Sequence, residues 1–431
     1  MNNLNVSLKQ NKFFINYIFC IFLFVFIEGS LRKWFLPQFN IEIILIRDFL
    51  IFWVVLIGFK NKIYNTEAPI ERITLFFSVF FFIVILIQQL VFNYNFGVTL
   101  IGIRNWILYL WFSILIYRVL NIKIFLKKIL DILLYLTSIT FIIITIQHLS
   151  PSTAFINQNI GTDIYIFEVA RDIVRVTGTF SFTYGYVQFI YFLTPFILYY
   201  LDEGKNLGNT KRLLIFFMLI FCVFLSGSRA LIFYFLFQLF FFYVFVASHK
   251  ILIIFKGLIL SLIIYLIIEN FFPNSILATL ERFETASDKY VIHLRMLEII
   301  FGNYNSWMNF SILGEGLGLS SNLSKFFINV DFILGENESD RIILGGGVFG
   351  IFILIFKFFL SFYFIIKGFK IFKSFNYSLP LLFSSYFIIQ ILTQQNTGQL
   401  TSHAFSFLSL GIMLSFLKIF NSSLNKNENY Y

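Results

Sequence analysis

Arginines are the residues of this sequence whose type and placement suggest chemistry. A guanidinium binds phosphate or carboxylate through a planar fork of donors, which a lysine ammonium does not reproduce. Arg47 and Arg104 lie inside apolar runs, where a charge is costly and indicates a functional role. They favour recognition of an anion. For Arg47 the alternative is a structural ion pair with Asp48 or Glu42.

A group transfer at such an anion site also needs a general base or a hydrogen-bond acceptor. The candidates are Glu338, His293, Glu336 and Asp340, which all belong to one long polar segment, about 270–341. Glu338 and Arg341 are three residues apart, so on a helical turn they would share a face and could simply pair with each other. The plain alternative for His293 is a surface histidine.

Hydroxyls and glycines near these residues each allow two interpretations. Ser226 and Ser228 either donate hydrogen bonds to a phosphate or form a tight turn between two spans. Gly314, Gly316 and Gly318 either permit a close backbone approach at a site or form a flexible turn.

The elements that must position these residues are membrane spans. Soluble domains carry about 25% charged residues. This chain of 431 residues has 13% charged and 59% hydrophobic residues. Cys20 and Cys222 lie in apolar runs, which predicts small buried side chains rather than a disulfide or metal ligands. No motif of a soluble nucleotide-binding module is present, and the sequence predicts no metal or other cofactor.

Twelve apolar runs approach the length needed to cross a hydrocarbon core of about 30 Å. A charged stretch follows the first run where a signal peptide would have a small-residue cleavage site, so we predict an uncleaved first span. The fold class is therefore an all-α polytopic integral membrane protein with about twelve transmembrane helices. The runs are 13–28, 41–59, 73–92, 97–117, 129–149, 186–201, 211–225, 229–247, 251–268, 344–366, 379–393 and 403–420.

Positive charges predict the orientation. With the N-terminus in the cytoplasm, 18 of the 32 basic residues fall in inner connections and 10 in outer ones. Both termini are then cytoplasmic. The predicted organisation is nine helices with an outer loop at 150–185 in residues 1–269, a large extracytoplasmic loop at 270–341, and three helices with a cytoplasmic tail at 342–431. The net charge of +10 follows from this bias and predicts no nucleic-acid partner.

The kind of basic residue differs between the two sides. Lysine accounts for 15 of the 18 inner residues, and arginine for 7 of the 10 outer ones. Because a topological signal needs only charge, the arginines favour an anion site that faces outward. The inner half of the spans offers only Lys256, Lys357 and Asp131.

Short motifs on the predicted outer side follow one another along most of the chain. They join the ends of spans to the long loop. They are Glu28-Gly-Ser-Leu-Arg-Lys-Trp-Phe-Leu-Pro37, Arg175-Val-Thr-Gly-Thr-Phe-Ser-Phe-Thr-Tyr-Gly185, Leu225-Ser-Gly-Ser-Arg-Ala230, Gly314-Glu-Gly-Leu-Gly318, Glu338-Ser-Asp-Arg341 and Gly345-Gly-Gly-Val-Phe-Gly350.

Taken in order, these motifs resemble the bacterial O-antigen polymerase and ligase superfamily of polytopic membrane enzymes. Its members typically show an Arg-x-x-Gly-Thr-Phe element before one span and a Ser-x-Ser-Arg-Gly/Ala turn between two short spans. A large periplasmic loop with a glycine run and a polar end follows. The opening from Glu28 to Pro37 is similar to that of a polymerase-like subgroup.

The chain departs from the family pattern where a base would be sought. Many members have Asn-Pro-Asn after the Gly-Thr-Phe element, where this chain has Phe182-Thr-Tyr184. Many carry His-Asn near the end of the loop, where this chain has Glu336-Asn-Glu338. An acidic residue often follows in the subgroup, where this chain has Gly345-Gly-Gly347. The resemblance therefore does not identify the base.

The resemblance implies a glycosyltransferase that polymerises undecaprenyl-diphosphate-linked repeat units of O-antigen, capsule or exopolysaccharide on the outer face of the bacterial cytoplasmic membrane. Arginines would stabilise the departing diphosphate without a metal. The implied partners are a lipid-linked donor and acceptor, the bilayer, a flippase and a chain-length regulator. Arg175, Arg229 and Arg341 are the first candidates for the diphosphate, with supporting contacts from Arg32, Arg47, Arg104 and Arg295.

Two alternatives stay open. An O-antigen ligase shares the same motifs. A flippase or transporter of lipid-linked sugars would also need about a dozen spans and intramembrane charges. It predicts charged residues along a path through both halves of the membrane, and often internal repeats, none of which is visible in this sequence.

Overall fold

The computed structural model describes residues 2–65, 67–160, 174–203, 209–247, 292–328 and 335–427, with a few positions between 259 and 281. Within these ranges the regular structure is helical and includes no β-strand, which confirms the all-α prediction. Most of the predicted ninth span, 251–268, and of the loop that follows it, up to 291, lies outside the described residues.

Fifteen α-helices are described in these ranges, and we number them in chain order. They are α1 Asn2–Ser30, α2 Asn40–Lys60, α3 Pro69–Phe92, α4 Phe96–Ile103, α5 Tyr109–Val119, α6 Ile122–Leu149, α7 Thr183–Glu203, α8 Asn209–Leu225, α9 Arg229–Phe241, α10 Ile292–Phe301, α11 Tyr304–Met308, α12 Glu338–Gly346, α13 Val348–Phe375, α14 Leu379–Thr393 and α15 Leu400–Asn427.

Seven helical segments in the described part of the chain are long and apolar enough to cross a membrane. The protein is therefore an all-α membrane protein. The predicted spans 41–59, 186–201 and 211–225 are helical as α2, α7 and α8, and α14 is an apolar helix of shorter length. The seven segments are Lys12–Phe35, Pro69–Phe92, Phe96–Val119, Ile124–Leu149, Arg229–Val246, Val348–Phe375 and Leu400–Lys418.

Phenylalanine side chains fill the centre of the helix bundle. The rings of Phe192 and Phe405 lie 5.2 Å apart, and those of Phe196 and Phe383 lie 5.3 Å apart, within the range that favours aromatic pairs. Between apolar helices in lipid, such close packing replaces the hydrophobic effect as the cohesive force. Cys222 is buried as predicted, whereas Cys20 is exposed on α1.

Two π-helical turns redirect charged side chains into the bundle. One, Leu31–Phe35, continues α1, and the other, Arg104–Leu108, joins α4 to α5. A π turn inserts an extra residue and rotates the side chains that follow it. Arg32, Lys33 and Arg104 are buried in these turns.

The glycine run at 314–318 packs against the second glycine run at 345–347. A Cβ atom on Gly314 would lie 2.4 Å from the nitrogen of Gly347, and both residues have positive φ, +70° and +57°. The nitrogen of Gly316 donates to the carbonyl of Gly345 at 2.9 Å. Of the two interpretations of this run, the structure favours close backbone approach. The predicted loop end at 341 and span start at 344 both fall inside α12, and the next long helix begins only after Gly347.

Candidate functional site

Three of the predicted arginines form one buried network with two carboxylates. Glu28, near the end of α1, accepts from Nη1 of Arg32 at 3.3 Å and from Nη1 of Arg47 at 2.8 Å. Asp48 accepts from Nε of Arg104 at 2.5 Å and from its Nη2 at 3.0 Å. All five residues are at most 9% exposed. We call these five residues the paired-arginine network.

The network shows which carboxylate pairs with Arg47. Its side chain is fully buried, and its closest acidic partner is Glu28, while Asp48 lies at 3.6 Å. Glu42, the other partner considered, is exposed. Because buried charges are retained when they are paired, the structure favours an ion-pair role for this arginine. The ion pairs of the network link α1, α2 and the α4–α5 segment.

Two of the sequence motifs interlock beside this network. A Cβ atom on Gly29 would lie 2.3 Å from the nitrogen of Ser181, so the end of α1 rests directly on the backbone of the Gly-Thr-Phe element. Lys33 Nζ donates to Thr177 Oγ1 at 2.7 Å and to the carbonyl of Gly178 at 3.0 Å. The motif Glu28–Pro37 therefore supports the motif Arg175–Gly185.

A second polar site surrounds Glu338, the first residue of α12. Its carboxylate is 2% exposed and accepts from the nitrogen of Thr397 at 3.0 and 3.1 Å and from its Oγ1 at 2.9 Å. Lys357 Nζ lies 3.8 Å from Oε1 of Glu338. The sequence placed Lys357 among inner-half charges, so its pairing with this site is a correction. Glu338 positions the α14–α15 connection.

Arg341 does not pair with Glu338 as the shared helical face suggested. Its Nε donates to the carbonyl of Gly335 at 3.2 Å, and its Nη1 donates to the carbonyl of Ser320 at 2.9 Å and to Asn322 Oδ1 at 3.0 Å. These acceptors are neutral, so they hold the guanidinium without cancelling its charge. Burial lowers the pKa of Arg341, and the charge of Glu338 opposes that shift.

The sequence interpretation missed the segment at the centre of this site, 394–399, which joins α14 to α15. Tyr184 Oη donates to Gln394 Oε1 at 2.6 Å and accepts from the nitrogen of Gln395 at 2.6 Å. A Cβ atom on Gly398 would lie 2.8 Å from Nη1 of Arg341. The available signal was the run Gln-Gln-Asn-Thr-Gly-Gln between two apolar spans. We call Glu338, Arg341, Lys357, Tyr184 and residues 394–399 the Glu338 site.

Two further predicted arginines, Arg229 and Arg295, belong to helices that pack beside the Glu338 site. They come from the start of α9 and from α10. Tyr234, five residues along α9, has its hydroxyl 3.5 Å from Thr393 Oγ1 at the end of α14. Helix α10 packs against α12 and α14. The structure thus brings both helices that carry these arginines to the end of α14.

Arg175 and His293 are placed less fully. Arg175 is half-buried and lies two residues before Thr177, which contacts Lys33. The backbone of His293 belongs to α10, two residues before Arg295, and its side chain lies outside the described ones. The structure therefore puts Arg175 on the side of the paired-arginine network and the helix of His293 beside the Glu338 site.

The serine pair serves as a turn between helices. Ser226 Oγ donates to the carbonyl of Val223 at 2.6 Å and accepts from the nitrogen of Ser228 at 3.0 Å. Ser228 caps α9 by accepting from the nitrogen of Leu231, as hydroxyl residues commonly do at helix N-termini. Of the two interpretations of these serines, the structure favours the turn.

The remaining acidic candidates differ in accessibility. Asp340 is 3% exposed, and its Oδ1 accepts from the nitrogen of Asn303 at 2.6 Å, so it links α11 to α12. Glu336 is exposed, and its carbonyl accepts from Nε2 of Gln395. Of the three predicted carboxylate bases, Glu336 is therefore the one open to a bound molecule.

Within the described ranges, no group of three or more His, Cys, Asp or Glu side chains could hold a metal ion. No family model, curated protein or solved structure matches this chain.

Proposed function

We propose that this protein is a glycosyltransferase that polymerises undecaprenyl-diphosphate-linked oligosaccharide units on the outer face of a bacterial cytoplasmic membrane. The observation that carries the proposal is Arg341, whose guanidinium is held at the Glu338 site by neutral oxygens. Arg229 and Arg295 come from the start of α9 and from α10, the helices that pack beside the end of α14. The ordered resemblance of the motifs supports the same function.

A guanidinium held in this way suits an anion that bears several oxygens. The protein contacts of Arg341 use Nε and Nη1, so Nη2 keeps its donors for a ligand in the part of the chain described. A diphosphate can accept charge-assisted hydrogen bonds from several guanidiniums together.

The proposed reaction places charge where these arginines can act on it. The bond between the anomeric carbon of the donor glycan and a phosphate oxygen breaks, while the acceptor hydroxyl oxygen bonds to that carbon. Negative charge grows on the departing lipid diphosphate, and the arginines stabilise it. The acceptor proton passes to a carboxylate, for which the exposed Glu336 beside Gln395 is the best-placed candidate.

The proposal includes the topology inferred from the charges. About twelve spans with both termini in the cytoplasm put the connections 150–185 and 270–341 outside. They also put the 394–399 connection outside. The contact of Thr397 with Glu338 supports this arrangement, because it requires that connection and the end of the long loop to lie at the same end of the bundle.

Cells that lack the chain, complemented with variants, provide the test. Wild-type protein should restore long glycan chains, whereas Arg229→Ala and Arg341→Lys should leave flipped, lipid-linked single units. Arg118→Lys is the matched control, since Arg118 forms an ion pair with Glu71 in the predicted inner region. Undiminished long chains in both site variants would overturn the proposal.

The position and length of the accumulated glycan separate the alternatives. Single units left on the cytoplasmic face of the membrane would identify a flippase. Full-length polymer that stays on its lipid carrier would identify a ligase.

A further inference from the structure

The paired-arginine network holds more positive than negative charge. Three guanidiniums, Arg32, Arg47 and Arg104, face two carboxylates, Glu28 and Asp48, which are their partners within ion-pair distance in the described part of the chain.

The same region contains buried donors without acceptors. Among the residues that the structure describes, Nη2 of Arg47 and Nδ2 of Asn105 have no hydrogen-bond partner, although Arg47 is fully buried and Asn105 is 1% exposed. Nε of Arg47 lies 3.6 Å from Asp48 Oδ1. Asn105 Oδ1 accepts from Nη1 of Arg104 at 2.5 Å, so its free amide hydrogens lie close to the same guanidinium. Buried donors left unpaired are costly.

An anion satisfies both conditions at once, whereas water satisfies only one. A water molecule can accept from the unpaired donors, but it leaves the surplus charge in a surrounding of low dielectric constant, where an uncompensated charge is expensive. One monovalent anion accepts from the donors and balances the three guanidiniums against the two carboxylates.

We propose that the paired-arginine network binds one small inorganic anion of the chloride class, beside Arg47 and Asn105, as a structural ligand. A lipid diphosphate is excluded from this position because Arg47 is fully buried. The anion site is therefore separate from the proposed catalytic function and does not rest on it.

Thermal unfolding of the purified full-length protein tests the site. The melting temperature is measured in sodium chloride and in sodium gluconate at equal ionic strength, since gluconate is too large to be buried. We expect a saturable rise with chloride of about 2–4 °C. Equal melting temperatures in the two salts would overturn the proposal.

One substitution replaces the anion with a fixed charge. Asn105→Asp keeps the acceptor for Arg104 Nη1 and adds the missing negative charge. This variant should melt in gluconate at the temperature that wild type reaches in chloride, and its response to chloride should be lost. If Asn105→Asp does not insert, Arg47→Gln equalises the charges in another way and should likewise lose the response. A chloride response of wild-type size in whichever variant folds contradicts the proposal.

Asn157→Asp is the matched control. Nδ2 of Asn157 donates to the carbonyls of Gln147, Ser150 and Pro151, so this variant should melt at a lower temperature but keep the full chloride response. Bromide provides the direct identification in a crystal. An anomalous peak beside Arg47 supports the site, and bromide bound only at other positions overturns it.

Discussion

Arginines lie in two regions of the molecule, and the groups that they contact differ between the two: carboxylates in one region and neutral oxygens in the other. In the paired-arginine network, Arg32, Arg47 and Arg104 each have a carboxylate within ion-pair distance. At the Glu338 site, the contacts of Arg341 are to neutral oxygens, and the carboxylate beside it is paired with Lys357. A count of charges along the sequence treats the two regions as equivalent.

The difference indicates that the arginines of the two regions have different roles, one structural and one in ligand binding. A buried guanidinium paired with a carboxylate fixes the relative position of two helices, and removing one partner leaves the other charge buried and uncompensated. A guanidinium held by carbonyls keeps its charge for a ligand. Substitutions in the first region should therefore reduce stability, and substitutions in the second should reduce activity.

The largest effect is expected for Asp48→Asn. This change removes the carboxylate that accepts two hydrogen bonds from Arg104 and one from Tyr109 at 2.7 Å. Breaking a buried ion pair costs about 3–5 kcal/mol, so the yield of folded protein and its melting temperature should fall sharply. The exposed Glu42→Gln on the same helix is the control. A variant that melts like wild type and yet lacks activity would show that these arginines also serve the ligand.

The next effect is expected for Arg341→Lys, which keeps the charge but removes the fork of donors. Lysine cannot contact the Gly335 and Ser320 carbonyls and a ligand together, so the rate of glycan polymerisation per inserted protein should fall about 10²–10³-fold. The melting temperature should change much less than in Asp48→Asn. If activity is retained, the outer arginines do not bind the diphosphate, and the proposed difference in role between the two regions is wrong.

A smaller effect is expected for Thr397→Val. The change removes the hydroxyl that donates to Glu338 Oε2 at 2.9 Å but keeps the backbone donor. Hydrogen bonds to charged groups contribute about 1.5–3 kcal/mol, and activity should also decrease because the 394–399 connection loses a contact. The melting temperature should therefore fall. Thr194→Val on α7 is the control, since its buried hydroxyl donates within its own helix to the carbonyl of Ile190. An unchanged melting temperature would show that the Thr397 hydroxyl does not stabilise the Glu338 site.

Much of the fold could be predicted because apolar runs of span length are a strong local signal. The pairing of charges could not be predicted, because it depends on contacts across many residues. Glu28 meets Arg47 because α1 packs against α2. Lys357 meets Glu338 because α12 packs against α13. The number of residues between the two members of each pair does not predict either contact.

Only part of the candidate site could be predicted, because its contacts also join residues that are far apart in the sequence. Arg341, Glu338 and Arg229 belong to short motifs that can be recognised in order. The 394–399 connection has no charged residue, so a search for charges passes over it. Its role depends on Thr397 and Gly398 contacting α12 residues, which are more than fifty positions away in the sequence. A polar run between two apolar spans is a weak signal until its partner is known.

The smallest effect is expected for Glu315→Gln. It tests whether the Glu315 carboxylate neutralises the arginine charge at the Glu338 site. Burial raises the pKa of Glu315, on the glycine run beside α12. A folded-state pKa above the unfolded value contributes stability at low pH that is lost as the pH rises through the folded pKa. Glu315→Gln should therefore melt slightly higher than wild type at neutral pH, and the difference should disappear below about pH 4. Melting temperatures measured from pH 4 to 8, with the exposed Glu67→Gln as the control, provide the check. A Glu315→Gln variant that melts lower than wild type at neutral pH would mean that this carboxylate is paired with an arginine, and the contrast between the two regions would no longer hold.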